Sequence, residues 1–339
     1  MRSRQLLSGD KPDHMHLAAR MIQSGGLVAF PTETVYGLGA DALNPDAVEK
    51  IFAAKKRPAF DPLIIHIAEL ETLMSLVMID LQHRALLMAL VESFWPGPLT
   101  LVLPRRSVIP DVVTAGLPTV AIRMPAHPIA LALIREAGTP IAAPSANPFG
   151  YVSPTAAHHV VEGLGDHVDL ILDGGACSLG VESTIISFAN GSPRLLRAGS
   201  LPVEDLEEII GPILRHGFDE AWPLSPGQLA RHYATRTPLY LLPTSEAIPR
   251  FVPSEQNGLL AFAPPRRQDL YTAVEILSPT GNVQEAAHNF FAALRRLDGQ
   301  GLTQLWAEPC SEDGIGMAIM DRLRRCAVQK VNSHYPEKD

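Results

Sequence analysis

Residues 30–66 read FPTETVYGLGADALNPDAVEKIFAAKKRPAFDPLIIH. The segment is entered from an apolar run, Leu27-Val-Ala-Phe30, which reads as the end of a buried strand. Pro31, Thr32, Glu33 and Thr34 are too polar and too closely placed to continue a central strand, so the chain turns there. Gly37 and Gly39 permit tight turns or the close approach of a ligand. Asn44-Pro45 predicts a helix start, with Asn44 as N-cap and Pro45 in the first helical position. Val48, Ile51 and Phe52 recur at helical spacing and should face a core. The helix runs out into Lys55-Lys56-Arg57, where Pro58 pushes Arg57 out of helical geometry. Pro62-Leu-Ile-Ile-His-Ile67 then reads as a second buried strand ending near His66. Two strand ends, a polar turn and an exposed basic corner from one short segment predict an α/β domain with an anion-binding pocket.

The rest of the chain fits that frame. At 339 residues it has room for two domains, and 46% hydrophobic against 19% charged residues suits a sizeable core. A formal net charge of −8 disfavours a protein that lives by gripping nucleic acid, so no stable nucleic-acid binding is expected. Cys177, Cys310 and Cys326 are few, odd in number and far apart, which predicts small thiols in a reducing cytoplasm rather than a disulfide framework. No signal peptide is visible in MRSRQLLSGD, and charged residues interrupt even the most apolar stretch, 70–91, so no membrane span is predicted.

In chain order, helices are predicted over 11–25, 45–54, 70–94, 127–137, 155–164 and 202–210, and strands over 99–103, 119–124, 140–143, 169–173, 183–188 and 194–197. Thr119 and Arg123 should share one face of their strand. The prolines and irregular pattern of 212–236 mark a linker. Strands over 239–242, 259–262, 271–277 and 303–307 follow, with helices over 283–297 and 316–326. That alternation predicts a smaller, mostly parallel, Rossmann-like α/β domain over 237–339.

Four clusters could carry chemistry. Lys55-Lys56-Arg57 reads either as a solvated face or, from its place before a buried strand, as a phosphate site. Ser145-Ala-Asn147, between Pro144 and Pro148, reads as an ordinary turn or a polar ligand contact. The glycines around Ser183 and Thr184 in 174–184 can present backbone N–H groups to an anion, though no Walker loop is present. Arg123, on a buried strand, needs an anionic partner, either a structural salt bridge or a ligand. His66 reads as a core histidine or a ligand contact. No second histidine or cysteine stands at metal-ligand spacing, and no Gly-x-Ser-x-Gly elbow is present.

Taken in order, PTETVYGLG (31–39), KKRP…DPLIIHI (55–67), FWPGPLTLVL (94–103), VAIRMP (120–125), APSANPFG (143–150), DGG…GVESTII (173–186) and LLRAG (195–199) resemble the YrdC-type threonylcarbamoyl-AMP synthases. SPGQLARHYAT (225–235) and GIGMAIMDRLRRCA (314–327) resemble the linker and closing helix of the long, two-domain form. The resemblance implies a YrdC-like twisted open sheet with helices over 10–211, a linker or lid over 212–236, and the C-terminal α/β domain. It implies ATP-dependent synthesis of L-threonylcarbamoyl-AMP from L-threonine, bicarbonate and ATP, with release of pyrophosphate. That product feeds N6-threonylcarbamoylation of tRNA beside the anticodon through a downstream transfer machinery. Carried over by motif, Lys55, Arg57, Ser145 and Asn147 are catalytic. Thr34, His66, Arg123, the backbone at Ala143, and Ser183 bind threonine. Arg57, Asp61, Thr119, Ser145, Ser153, Arg197 and His232 bind the nucleotide. Asp61 departs from the asparagine often found in the family, and a carboxylate near phosphates repels them unless it meets Mg²⁺ or a base. Mg²⁺ would arrive on the ATP phosphates, with no protein side chain assigned to it and no organic cofactor.

Two other readings remain open from sequence, an RNA-binding module without adenylate-forming activity and a carbamoyltransferase-like module of the hydrogenase-maturation kind. The acidic net charge disfavours the first, and the lack of zinc-finger cysteines the second. The linker carries Pro226-Gly227 as a hinge and Arg231, His232 and Tyr233 as groups able to meet a nucleotide, which predicts a lid over the ATP site anchored by the second domain.

Overall fold

The computed structural model describes residues 5–189, 191–215, 233–249 and 256–328. The chain divides into two units, Met1–Phe149 with Ser153–Ala230, and Gly150–Val152 with Arg231–Asp339. The first unit runs β1 (Gln5–Ser8), α1 (Pro12–Gln23), β2 (Val28–Phe30), β3 (Gly37–Asp41), α2 (Pro45–Lys55), β4 (Ile64–His66), α3 (Leu70–Leu76), α4 (Leu81–Phe94) and β5 (Leu99–Pro104). It continues with α5 (Asp111–Thr114), β6 (Thr119–Arg123), α6 (Pro128–Ala137), β7 (Ile141–Ala142), α7 (Ala157–Leu164), β8 (Leu170–Asp173), β9 (Thr184–Ser187), β10 (Arg194–Arg197) and α8 (Val203–Ile210). The strands form one mixed ten-stranded sheet in the order β1-β8-β2-β3-β7-β4-β6-β5-β9-β10.

Local chemistry sets the helix ends. Asn44 Oδ1 accepts from the Ala47 N–H at 3.2 Å, and Pro45 follows at the first position of α2. Lys56 ends that helix in the left-handed region at φ 53°, which turns the chain before Pro58. His127 Nδ1 caps α6 at the Ile129 N–H, and Gly138, at φ 66°, closes it. The predicted helix over 70–94 is two helices. Val77 leaves the helical path to bridge Arg105, and Asp80 starts α4 by accepting from the Gln82 N–H. α1 and α6 pack together, and Ala18, Ile22, Leu133 and Ile134 join Val28, Phe30, Ile141, Leu170 and Leu172 in the main core.

Gly37 and Gly39 do not turn the chain. They lie in β3, antiparallel to β2 and β7, and neither has a positive φ. Glycine is required there by packing. A Cβ at Gly39 would stand 2.7 Å from the Phe30 ring and 2.8 Å from Ile141 Cγ2. The run 30–41 is therefore a hairpin that buries Phe30 and leaves Pro31–Val35 as its loop.

The second unit holds β11 (Leu239–Leu241), β12 (Asn257–Ala261), β13 (Ala273–Ile276), α9 (Val283–Asp298), β14 (Gln304–Ala307) and α10 (Gly316–Cys326). Its four strands are parallel in the order β11-β14-β12-β13. α9 packs on β12 and β13, and α10 on β11, so the unit is the small parallel α/β domain that the alternation predicts. Among the described residues no helix is long and apolar enough to cross a membrane.

Candidate active site

The β4-β6-β5-β9 part of the large sheet places the site. His66 pairs in register with Arg123 and Ile64 with Ala121, Arg123 with Thr100, and Thr100 with Ile185. Side chains alternate along each strand, so Thr119, Ala121 and Arg123 share a face with Ile64, His66, Thr100 and Val102. Ile64, Val102, Ala121, Ile185 and Leu196 form a buried apolar cluster on that face. Polar groups stand at its two ends.

At the His66 end, Arg123 is almost fully buried and bound on three sides. Its Nη1 donates to Thr34 Oγ1 at 2.8 Å, its Nε to the Gly97 carbonyl at 3.2 Å, and its Nη2 stands 2.6 Å from Glu33 Oε1. Thr32 and Thr34 share a hydroxyl–hydroxyl bond of 2.8 Å that fixes the loop after β2. Glu33 is the anionic partner that sequence reasoning missed. It lies in the quoted PTET turn but 90 positions before Arg123, and nothing in a single sequence links the two. The Glu33 carboxylate is buried and accepts no hydrogen bond of good geometry, so Arg123 is its sole compensation among the described residues.

Beside them, His66 Nδ1 is buried and makes no hydrogen bond of good geometry among the described residues. Burial, and then the Arg123 guanidinium, push the imidazole down to about 3, so it is neutral in the folded protein. Unfolded, it would titrate near ~6.5. The unfolded chain therefore takes up a proton that the folded chain refuses, and stability falls as pH drops from about 6.5 toward 3, by up to about 1.4 kcal/mol per pH unit. Urea titrations between neutral and acid pH should show His66→Gln losing less stability than the native chain on acidification. Parallel pH profiles would contradict this placement of His66.

Ser183 completes this end. Its hydroxyl meets Thr100 Oγ1 at 2.8 Å, and Arg197 Nε and Nη2 donate to its carbonyl at 3.1 and 3.0 Å. Gly199 allows this packing, since a Cβ there would stand 2.3 Å from the Ser183 carbonyl carbon. Ser153 donates to Glu182 Oε1 at 2.6 Å, next to Ser183 in the chain. Thr100 and Glu182 were not singled out from sequence, because each acquires its meaning only through a strand partner or a distant hydroxyl.

The second group corrects the expectation of an exposed basic corner. Of the three cations only Lys56 faces solvent. Lys55 is 2% exposed, and its Nζ donates to the backbone carbonyls of Ser145 and Asn147. Burial, then the neighbouring Arg57, holds its ammonium well below the ordinary lysine range. Arg57 is also buried. It donates to the Asp61 and Pro62 carbonyls and pairs with the Asp61 carboxylate at 2.9 Å. Asp61 is fully buried, and burial raises its carboxyl above the usual range against the pull of Arg57, Lys55 and Arg197. The unusual carboxylate is thus an internal counter-ion to Arg57.

Thr119 is half-buried at the far end of β6, on the same face as Arg123. The Ala143 N–H donates to the Ile64 carbonyl at 2.9 Å. His232 and most of the predicted lid lie outside the described residues. Tyr233, expected to meet a nucleotide, is buried in the second unit, with its ring 5.6 Å from Phe291 and the Arg322 guanidinium 5.4 Å away. Among the described residues no three His, Cys, Asp or Glu side chains gather as a metal centre.

The sheet face thus carries a buried arginine paired with an internal carboxylate beside a neutral imidazole, and the end of α2 with the turn leading to β4 adds two more buried basic side chains. That arrangement defines an α/β enzyme that handles anionic substrates. A family model named Sua5_yciO_yrdC and described as telomere recombination matches residues 20–199, and a second, threonylcarbamoyl-AMP synthase, C-terminal domain, matches 201–328. The chain belongs to the Sua5/YciO/YrdC family, in its long two-domain form. It is 44% identical to a threonylcarbamoyl-AMP synthase of Pyrococcus abyssi, over 94% of this chain and 95% of that one. It is 43% identical to the Bacillus subtilis protein of the same name, over 93% of each chain. A crystal structure of P. abyssi Sua5 complexed with L-threonine matches with a TM-score of 0.86 and 42% identity, covering 96% of each chain.

Proposed function

We infer that this chain is an L-threonylcarbamoyl-AMP synthase, a nucleotidyltransferase that consumes L-threonine, bicarbonate and ATP and releases pyrophosphate for tRNA modification. Arg123 is the observation that carries this reading. It is a buried cation with one internal carboxylate partner among the described residues, bonded to the Thr34 hydroxyl and paired in register with His66 on the neighbouring strand. The carboxylate of threonine can replace Glu33 on the guanidinium fork. Thr34, His66 and Ser183 then stand as groups for its hydroxyl and amine, with the Ala143 backbone alongside.

The neutral amine nitrogen bonds to the carbon of bicarbonate as the C–OH bond breaks, and the hydroxyl leaves as water with a proton from the amine, giving a carbamate. A carbamate oxygen then bonds to the α-phosphorus of ATP as the bond to the pyrophosphate oxygen breaks. This transfer rests on positioning and charge neutralisation and needs no covalent enzyme intermediate. Arg57, Thr119, Ser145, Ser153, Arg197 and His232 are the proposed nucleotide contacts. Lys55 acts through the turn of Ser145 and Asn147 that it ties down. Asp61, proposed in the same nucleotide site, is already paired with Arg57 at 2.9 Å and so would hold that guanidinium in place, while Mg²⁺ would arrive on the ATP phosphates with no side chain assigned to it. Transfer of the product to tRNA would fall to a separate cytoplasmic machinery, which suits a chain of net charge −8.

Pyrophosphate release from ATP should require threonine and bicarbonate together. Serine should be the best substitute, and 2-aminobutyrate, lacking the hydroxyl, should fall by up to ~10⁴-fold in kcat/KM. Release that ignores threonine would overturn the reading. Equal use of 2-aminobutyrate would remove Thr34, His66 and Ser183 as readers of the hydroxyl.

A further inference from the structure

We propose that the second unit carries a ligand site of its own, at the C-terminal ends of β12 and β14, that takes a ribonucleotide and receives its ribose hydroxyls on Glu308. A cavity of about 890 Å³ opens there, lined by the segments that follow β11, β12 and β14. Its place follows from the topology. From β12 the chain passes to β13 at one sheet edge, and after β14 it passes to α10, packed on β11 at the other. The connections leave the neighbouring strands β12 and β14 in opposite directions, and parallel α/β sheets bind ligands in the crevice so created.

Glu308 bridges that crevice. It directly follows β14, it is buried, and its Oε2 accepts the N–H of Phe262, the residue directly after β12, at 3.0 Å. No described group donates to its other carboxylate oxygen. Burial raises the carboxyl above its usual range against the single N–H of Phe262, so the group gains from every further donor. Leu259, Phe262 and Tyr271 supply apolar and aromatic wall on which a flat base can lie. Arg266 and Arg267 stand at the rim. Arg266 has only an exposed pair with Glu246 at 3.4 Å, of little strength, so its guanidinium is available to a phosphate, while Asp269 holds Arg267 in bidentate fashion at 2.9 and 2.8 Å. A buried acceptor, an aromatic wall and a cationic rim match a ribose diol, a base and a phosphate, and the volume suits a ligand of that size.

The site is tested on the full chain by equilibrium dialysis with 5′-AMP and with 2′,3′-dideoxy-AMP. Glu308→Gln should weaken one AMP-binding component by about tenfold or more, through loss of charge-assisted bonds. Arg266→Glu, a change at an exposed side chain that leaves the fold alone, should weaken the same component. Dideoxy-AMP should lack that component in the native chain. AMP held by the first unit should be unaffected by either substitution, which separates the two sites. AMP binding that neither substitution alters, or dideoxy-AMP bound as well as AMP, would overturn the proposal.

Discussion

Arg123→Met is expected to abolish threonine-dependent turnover and to destabilise the chain by about 3–5 kcal/mol, because it leaves the Glu33 carboxylate buried without its cation. Adding Glu33→Gln should recover most of that stability, since a buried ion pair replaced on both sides is often neutral or better. The double variant should stay inactive, because the cation proposed for threonine's carboxylate is still missing. Urea unfolding and initial rates on the two variants separate the roles. A single variant as stable as the native chain would mean that Glu33 has another source of compensation. An active double variant would remove Arg123 from substrate binding.

Lys55→Ala carries the second large effect, and it reverses an expectation drawn from sequence. An exposed lysine would contribute little to stability. The buried Lys55 ties two backbone carbonyls, and the Phe149 N–H returns to the Lys55 carbonyl at 3.0 Å. Each carbonyl left without a donor costs about 1–3 kcal/mol. The substitution should therefore lower stability by ~2 kcal/mol or more, speed amide exchange through residues 145–149, and cut adduct formation by on the order of 10²-fold or more. Lys56→Ala, next in the chain but exposed, should change stability by no more than about 0.5 kcal/mol. If both variants behave alike, Lys55 is not the tether of the Ser145–Asn147 turn.

The contrast between these lysines shows what a sequence can convey. The pattern Val48, Ile51, Phe52 placed one face of α2 in the core, and Lys55 continues that spacing. The signal for its burial was present, but a run of three charges reads first as a solvated face. Strand positions were legible because apolar runs of four to six residues leave few alternatives, and Asn44, His127 and Asn282 marked or flanked helix starts with their own side chains. The glycines of β3 make no turn, and the need for Gly39 lies in the Phe30 ring across the hairpin, which no local pattern reports. The ordered motifs located Thr34, His66, Arg123 and Ser183. They did not disclose Glu33, Thr100 or Glu182, whose roles exist only once strands are in register. The break at Val77–Asp80 was likewise hidden, because a bridge to Arg105 overrides the helical preference of the segment.

The proposed reaction joins threonine, bicarbonate and ATP in one product. Incubation of the full chain with ¹³C-bicarbonate, L-threonine, ATP and Mg²⁺, followed by mass spectrometry, tests it most directly. An AMP adduct carrying threonine and one ¹³C atom is expected, formed in step with pyrophosphate and absent when threonine is omitted. An adduct without the ¹³C label, or ATP cleavage with no threonine-bearing adduct, would contradict it.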